Sequence, residues 1–145
     1  MIRAAGAADA AQVMAGLQAL AATMGDPFRL SAAQLARALE SGAARAVLHD
    51  RGLALWSPFV STSRGAMGAY VSDLWVADAA RGQGLGVRLL AAVRDQAAAE
   101  FGAVFLRLAV YAGNPGARQF YDRLGFAPKP DETWLTLEGA ALEAI

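Results

Sequence analysis

Arg81-Gly82-Gln83-Gly84-Leu85-Gly86 constrains the fold of this chain more than any other stretch, because of what stands on either side of it. Upstream, Ala69 to Val76 is rich in Tyr, Val and Trp and reads as a strand. Downstream, Leu85, Leu89, Val93, Ala97 and Phe101 recur every four residues and Gly102 stops the run, the pattern of a long amphipathic helix. Val104 to Val110 then supplies another apolar strand. A strand that enters a helix through alternating glycines and is followed by a further strand belongs to an α/β sheet with helical crossovers.

The flanking segments extend that layout. Asp9 with Gln12 opens a helix whose face carries Val13, Leu17, Leu20 and Met24, and Gly25-Asp26-Pro27 ends it. Ser31 with Gln34 repeats the capping pattern ahead of Leu35 and Leu39, and that second helix ends near Ser41 and Gly42. The period then changes: Ala46 to His49 and Leu53 to Val60 are extended runs around Asp50-Arg51-Gly52, which suits a hairpin, and Ser61 to Gly65 is polar loop. Asn114 caps a helix with Pro115 at its first position and Gly125 at its end, its inner face formed by Ala117, Phe120, Tyr121 and Leu124. Thr133 to Leu137 is expected to be a last strand. The fold class is therefore α/β, a central mixed sheet flanked by helices, in a single domain over residues 1–145.

Charge and composition narrow the chemistry. Thirteen basic residues balance thirteen acidic ones, so no whole-molecule field recommends a nucleic acid or an anionic membrane as partner, and any bound anion must be held locally. The absence of cysteine removes thiol nucleophiles, thiolate metal sites and disulfides together. With one histidine, His49, no transition-metal site is expected, and its place beside the hairpin turn marks it as a solvated turn-edge residue. The uncharged stretch from Ala10 to Gly25 falls short of the roughly 20 apolar residues that span a bilayer. These absences suit a cytoplasmic protein, and a second copy of the chain is the macromolecular partner left open.

At the glycine-rich turn, free backbone N–H groups and the positive end of a helix come together where phosphate is commonly cradled. Glycine lets that backbone approach a pyrophosphate with no Cβ in the way, and Arg81 sets a permanent cation at the mouth. The turn is not a Walker A loop, which ends in Gly-Lys-Ser/Thr, and its glycine spacing is not that of the dinucleotide fingerprint.

Arg81, Gly84 and Gly86, followed by Asn114, Phe120, Tyr121, Gly125 and Phe126, resemble the two motifs of the GNAT superfamily of N-acetyltransferases, over about Tyr70 to Phe126. The resemblance implies the GNAT-type acyl-CoA N-acyltransferase fold and acetyl-CoA as co-substrate. It implies that backbone groups of Leu74, Trp75 and Val76 pair with the pantetheine arm and that the amides of Gly82, Gln83, Gly84, Leu85, Gly86 and Val87 hold the pyrophosphate. Asn114 would contact the pantetheine or the adenine side, and Tyr121 would stand near the sulfur.

The implied reaction asks little of the side chains. An amine attacks the thioester directly in a ternary complex, proximity supplies much of the rate, a backbone N–H near Val76 stabilises the developing oxyanion, and Tyr121 protonates the departing thiolate. A phenol with an ordinary pKa of about 10 is ready to donate at neutral pH. In layout the chain is most similar to diamine and spermidine acetyltransferase-like enzymes, which carry an acidic pair where this sequence has Ser72-Asp73. Ser72 replaces the first acid, leaving Asp73 as the candidate base or water anchor, although neighbouring strand residues face opposite sides unless a bulge intervenes. The acceptor is expected to be a small amine or amino-acid-like molecule, with Trp56, Phe59 and the loop from Met24 to Arg29 as candidate pocket residues. A non-catalytic acetyl-CoA-binding regulatory domain and an enzyme acting on protein or peptide amines are the competing readings.

Overall fold

Asp50 and Arg51 close a two-residue hairpin, and the strands they join organise a five-stranded sheet in the computed structural model, which describes residues 1–145. Strands β1 (Arg3–Ala5), β2 (Arg45–His49), β3 (Gly52–Ser61) and β4 (Ala66–Val76) pair antiparallel in sequence order. β5 (Leu106–Arg107) joins β4 in parallel after the crossover helix α3 (Leu85–Phe101). The mixed sheet expected from the sequence is present. β1 has no signature in the sequence, since three residues are too few for a period to show.

The sheet is covered on both faces. Helices α1 (Ala10–Met24) and α2 (Ala32–Ser41) bury Val13, Leu17, Leu35 and Leu39 against Ala46, Leu48 and Leu53. A Cβ on Gly16 would collide with the Leu53 side chain, so glycine there lets α1 lie close on the strands. Residues of β3 alternate in direction, so Trp56 faces the opposite side, where its ring meets Phe101 edge-on at 6.2 Å and its indole N–H donates to Gln96 Oε1 at 3.3 Å. On that side α3 buries Leu85, Leu89, Val93 and Ala97. Trp56 is fully buried, which removes it from the candidate pocket residues.

Local capping follows the sequence at α2, where the Gln34 N–H donates to Ser31 Oγ at 3.1 Å and the Ser31 N–H donates to Gln34 Oε1 at 2.8 Å. It does not at α1. Asp9 turns its carboxylate back to the Gly6 N–H at 2.9 Å and to Arg3, closing a 3-10 turn at Ala7–Asp9 instead of capping the helix through Gln12.

The chain divides into two compact units, Met1–Ala109 and Val110–Ile145. The second contains α4 (Pro115–Leu124) and a short α5 (Ala140–Glu143). The strand expected at Thr133 to Leu137 is absent, and Leu135 and Leu137 stand exposed. Apolar alternation makes a strand only where a neighbouring ladder takes up its backbone N–H and C=O groups. The strand expected from Val104 to Val110 is likewise shorter, since only Leu106 and Arg107 pair with β4. No helix is long and apolar enough to cross a membrane.

Candidate functional site

Both glycines at the start of the turn adopt the left-handed conformation, Gly82 at φ 73° and Gly84 at φ 74°, which L side chains rarely accept. A Cβ built on either meets nothing within 4 Å, so the space over the turn is open. The chain then enters α3, where the N–H groups of Leu85, Gly86 and Val87 belong to the first turn and no carbonyl of the same helix reaches them. The Gly84 carbonyl accepts from the Arg88 N–H at 3.1 Å, which fixes the helix start. Gly52 holds α3 close to the sheet: a Cβ there would stand 2.9 Å from the Trp75 carbonyl oxygen and 3.0 Å from Leu89. Open space, orphan amides and the helix dipole make an anion cradle of the kind a pyrophosphate fits.

Arg81 is already engaged. Its Nε donates to the Val76 carbonyl at 3.3 Å and its other end pairs with Asp78 at 3.2 Å, so it ties the turn to the end of β4. A guanidinium has five N–H donors, which leaves it capacity toward a phosphate. Gln83 donates to the Ala79 carbonyl at 3.1 Å and braces the same loop.

β4 itself changes character partway along. Leu55 pairs with Asp73 and Trp56 with Val71, so Ser72 is an extra residue without a partner, a β-bulge. Pairing with β5 ends two residues earlier, at Tyr70, so that from Val71 to Val76 the second edge of β4 has no neighbouring strand. That edge presents backbone groups for an extended ligand to pair with, over a stretch that includes Leu74, Trp75 and Val76. The bulge bends the strand where the two strands part, and it answers the question of side raised by Ser72-Asp73. Asp73 lies opposite Leu55 on the α1/α2 face, while the Ser72 hydroxyl turns toward the Leu55 carbonyl at 3.4 Å. Burial pushes the Asp73 carboxyl above its ordinary range, and the neighbouring Ser72 hydroxyl pulls it partly back. A carboxyl raised in this way holds its proton more readily, as a base of matched strength must.

The remaining candidates, Asn114 and Tyr121, belong to α4. Asn114 caps the helix through its side-chain oxygen, which accepts from the Ala117 N–H at 3.2 Å, and its amide group retains two donors. Tyr121 packs edge-on against Phe120 at 5.2 Å and Phe126 at 5.4 Å. The turn at Gly125 brings Phe126 back, its N–H donating to the Tyr121 carbonyl at 3.1 Å. Burial raises the Tyr121 phenol above its ordinary value, so it keeps its proton across the neutral range. His49 sits at the hairpin, its Nδ1 accepting from the Arg51 N–H at 3.0 Å, a turn-closing role.

Two features of the site could not be read along the chain: the bulge at Ser72, which depends on cross-strand register, and the engagement of Arg81 by Val76 and Asp78. Asp78, three residues before Arg81, was the available signal for the second.

Residues 41–126 match the acetyltransferase (GNAT) family. No curated protein matches the sequence. Solved structures do. A protein of Arthrobacter sp. FB24 assigned as an acetyltransferase is 28% identical, with a TM-score of 0.74 over 96% of this chain and 93% of its own. The ribosomal-protein-alanine N-acetyltransferase of Brucella melitensis biovar Abortus 2308 is 20% identical, with a TM-score of 0.76 over 94% of this chain and 99% of its own. An aminoglycoside acetyltransferase from an uncultured soil metagenomic sample is 19% identical, with a TM-score of 0.77 over 95% and 98%. The last two likenesses establish the fold.

Proposed function

Because the chain belongs to the acetyltransferase (GNAT) family, we propose that it transfers the acetyl group of acetyl-CoA to a primary amine of a small, amino-acid-like molecule, as a cytoplasmic enzyme. The observation that carries this reading is the junction of an unpaired β4 edge with a glycine turn whose orphan amides open onto empty space.

Acetyl-CoA supplies the activated acyl thioester. The edge from Leu74 to Val76 pairs with its pantetheine arm, and the amides from Gly82 to Val87, with Arg81, take the pyrophosphate. Asn114 contacts the pantetheine or adenine side. Asp73 accepts a proton from the attacking amine, directly or through water, as the new C–N bond forms. A backbone N–H of β4 stabilises the negative charge that develops on the acyl oxygen. Tyr121 gives its proton to the sulfur as the C–S bond breaks. No group of three or more His, Cys, Asp or Glu side chains is arranged to hold a metal ion.

The test is release of free CoA when the purified protein receives acetyl-CoA and a panel of primary amines. Acetyl-CoA should raise the melting temperature, and at least one amine should accelerate thiol release well beyond hydrolysis. A thermal shift without acceleration by any amine would favour a non-catalytic acetyl-CoA-binding domain, a reading that the loss of an acid at Ser72 supports.

A further inference from the structure

Two of the twelve arginines are drawn partly out of solvent, Arg45 and Arg107. Arg45 is neutralised by Glu100 at 2.6 Å. Arg107 has no carboxylate within ion-pair distance. Its guanidinium lies over the Phe59 ring at 5.1 Å and the Phe105 ring at 5.6 Å, and the two rings meet edge-on at 5.2 Å. A second unneutralised cation, Arg64, stands over the same Phe105 ring at 4.4 Å and reaches Ser61 Oγ at 3.4 Å. The sequence makes room for this group at Gly68, where a Cβ would collide with the Phe105 ring.

Bringing two guanidinium groups to one aromatic pair without a countercharge costs electrostatic free energy, which an arriving anion recovers. The cation–π contacts also prepare Arg107 for such a ligand. A contact of this kind spends no N–H donor, and the guanidinium fork suits bidentate contact with a carboxylate.

The position of the group says which molecule brings the anion. Phe59 faces the same side of β3 as Leu55, by the alternation of the strand, and Leu55 lies opposite Asp73. Arg107 lies beside Tyr70, three residues before Asp73 on β4, so the two charges share one sheet face at a separation of roughly 10 Å along the strand. We infer that Arg107, assisted by Arg64, binds a carboxylate of the amine acceptor, so that the substrate is an amino carboxylate whose two ends are several bonds apart. This rests on the acetyltransferase reading, since it takes Asp73 as the place of the amine. It also runs against a polycationic acceptor, whose further amines would meet two arginines.

The experiment uses a ladder of ω-amino carboxylates from glycine to 6-aminohexanoate, each beside the diamine of equal length. CoA release gives kcat/KM, and saturation-transfer NMR reads binding of each compound without turnover. At the best length the carboxylate should exceed its diamine by about tenfold or more, the range of a charge-assisted hydrogen bond. Arg107→Met keeps the apolar stem, and it should collapse that ratio mainly through KM. Arg107→Lys keeps the charge without the fork and should restore part of it. Arg64→Met should lower it less. Diamines acetylated better than carboxylates, or a ratio unchanged in Arg107→Met, would overturn the inference while leaving the enzyme reading intact. Arg107-dependent binding of carboxylates without acetylation of any compound would support the anion site and refute the transferase reading.

Discussion

Every large side chain that is fully buried lies between Met1 and Ala109, among them Trp56, Leu35, Leu53, Leu85 and Leu89, whereas α4 of the Val110–Ile145 unit buries none of its residues. The first unit has a core on each face of its sheet. The second has a helix held by its own caps and by three neighbouring aromatic rings. Yet the proposed general acid, Tyr121, belongs to the second. Folding stability and proton donation are thus assigned to different parts of the chain, and substitutions in the two should separate them.

The largest effect is expected in the core. Trp56→Ala removes the indole that joins β3 to Phe101 and Gln96, and denaturant unfolding should show a loss of about 3–5 kcal/mol. In α4, Leu124 is 40% exposed, and Leu124→Ala should stay within about 0.5 kcal/mol of wild type. Comparable losses at the two positions would erase the contrast.

Tyr121→Phe reverses the pattern. The ring remains to pack against Phe120 and Phe126, so melting temperature and acetyl-CoA binding should persist while turnover with a true acceptor falls about 10²-fold. Steady-state rates at several pH values are the check, because amine deprotonation limiting the wild type would mask part of the loss at low pH. A rate within a few-fold of wild type throughout would return Tyr121 to packing alone.

Asp73→Asn should cut turnover by about tenfold or more and yet stabilise the fold at neutral pH. The Asp73 carboxyl is raised by burial, so its charged form is disfavoured in the folded state and the cost is present above the folded pKa. Melting curves of variant and wild type should converge as the pH falls below the ordinary carboxylate range, where both states are protonated. A variant less stable than wild type at neutral pH would show that the carboxylate is well satisfied.

The smallest effect belongs to Asp9. Its hydrogen bonds from Arg3 and the Gly6 N–H lower its pKa to about 2. The stability this gives is present above the ordinary carboxylate value and is lost as the pH falls through about 2. Asp9→Asn should therefore lower the melting temperature slightly at neutral pH, and the difference should vanish in acid.

What the sequence makes legible follows from the range of the interactions involved. The helices, the hairpin at Asp50-Arg51 and the caps at Ser31 and Asn114 depend on residues within a turn or two, and periodicity finds them. The glycine turn is legible for the same reason. The bulge at Ser72 is not, because it exists only in the register between Leu55 and Asp73. Thr133 to Leu137 carries the alternation of a strand, but a strand also needs a ladder. Arg107 is masked by the apolar run around it, although a charge two residues after Phe105 in an alternating strand is itself a signal that this face meets something polar.

Titration calorimetry of acetyl-CoA into wild type and Gly84→Asp tests most directly whether the turn from Arg81 to Val87 holds acetyl-CoA. At φ 74°, over open space, the aspartate strains the turn and sets a carboxylate where pyrophosphate is to lie. Circular dichroism should show the variant folded, since the substitution meets no neighbour, and its binding isotherm should be flat where wild type saturates. Undiminished binding by the folded variant would contradict the assignment of the turn.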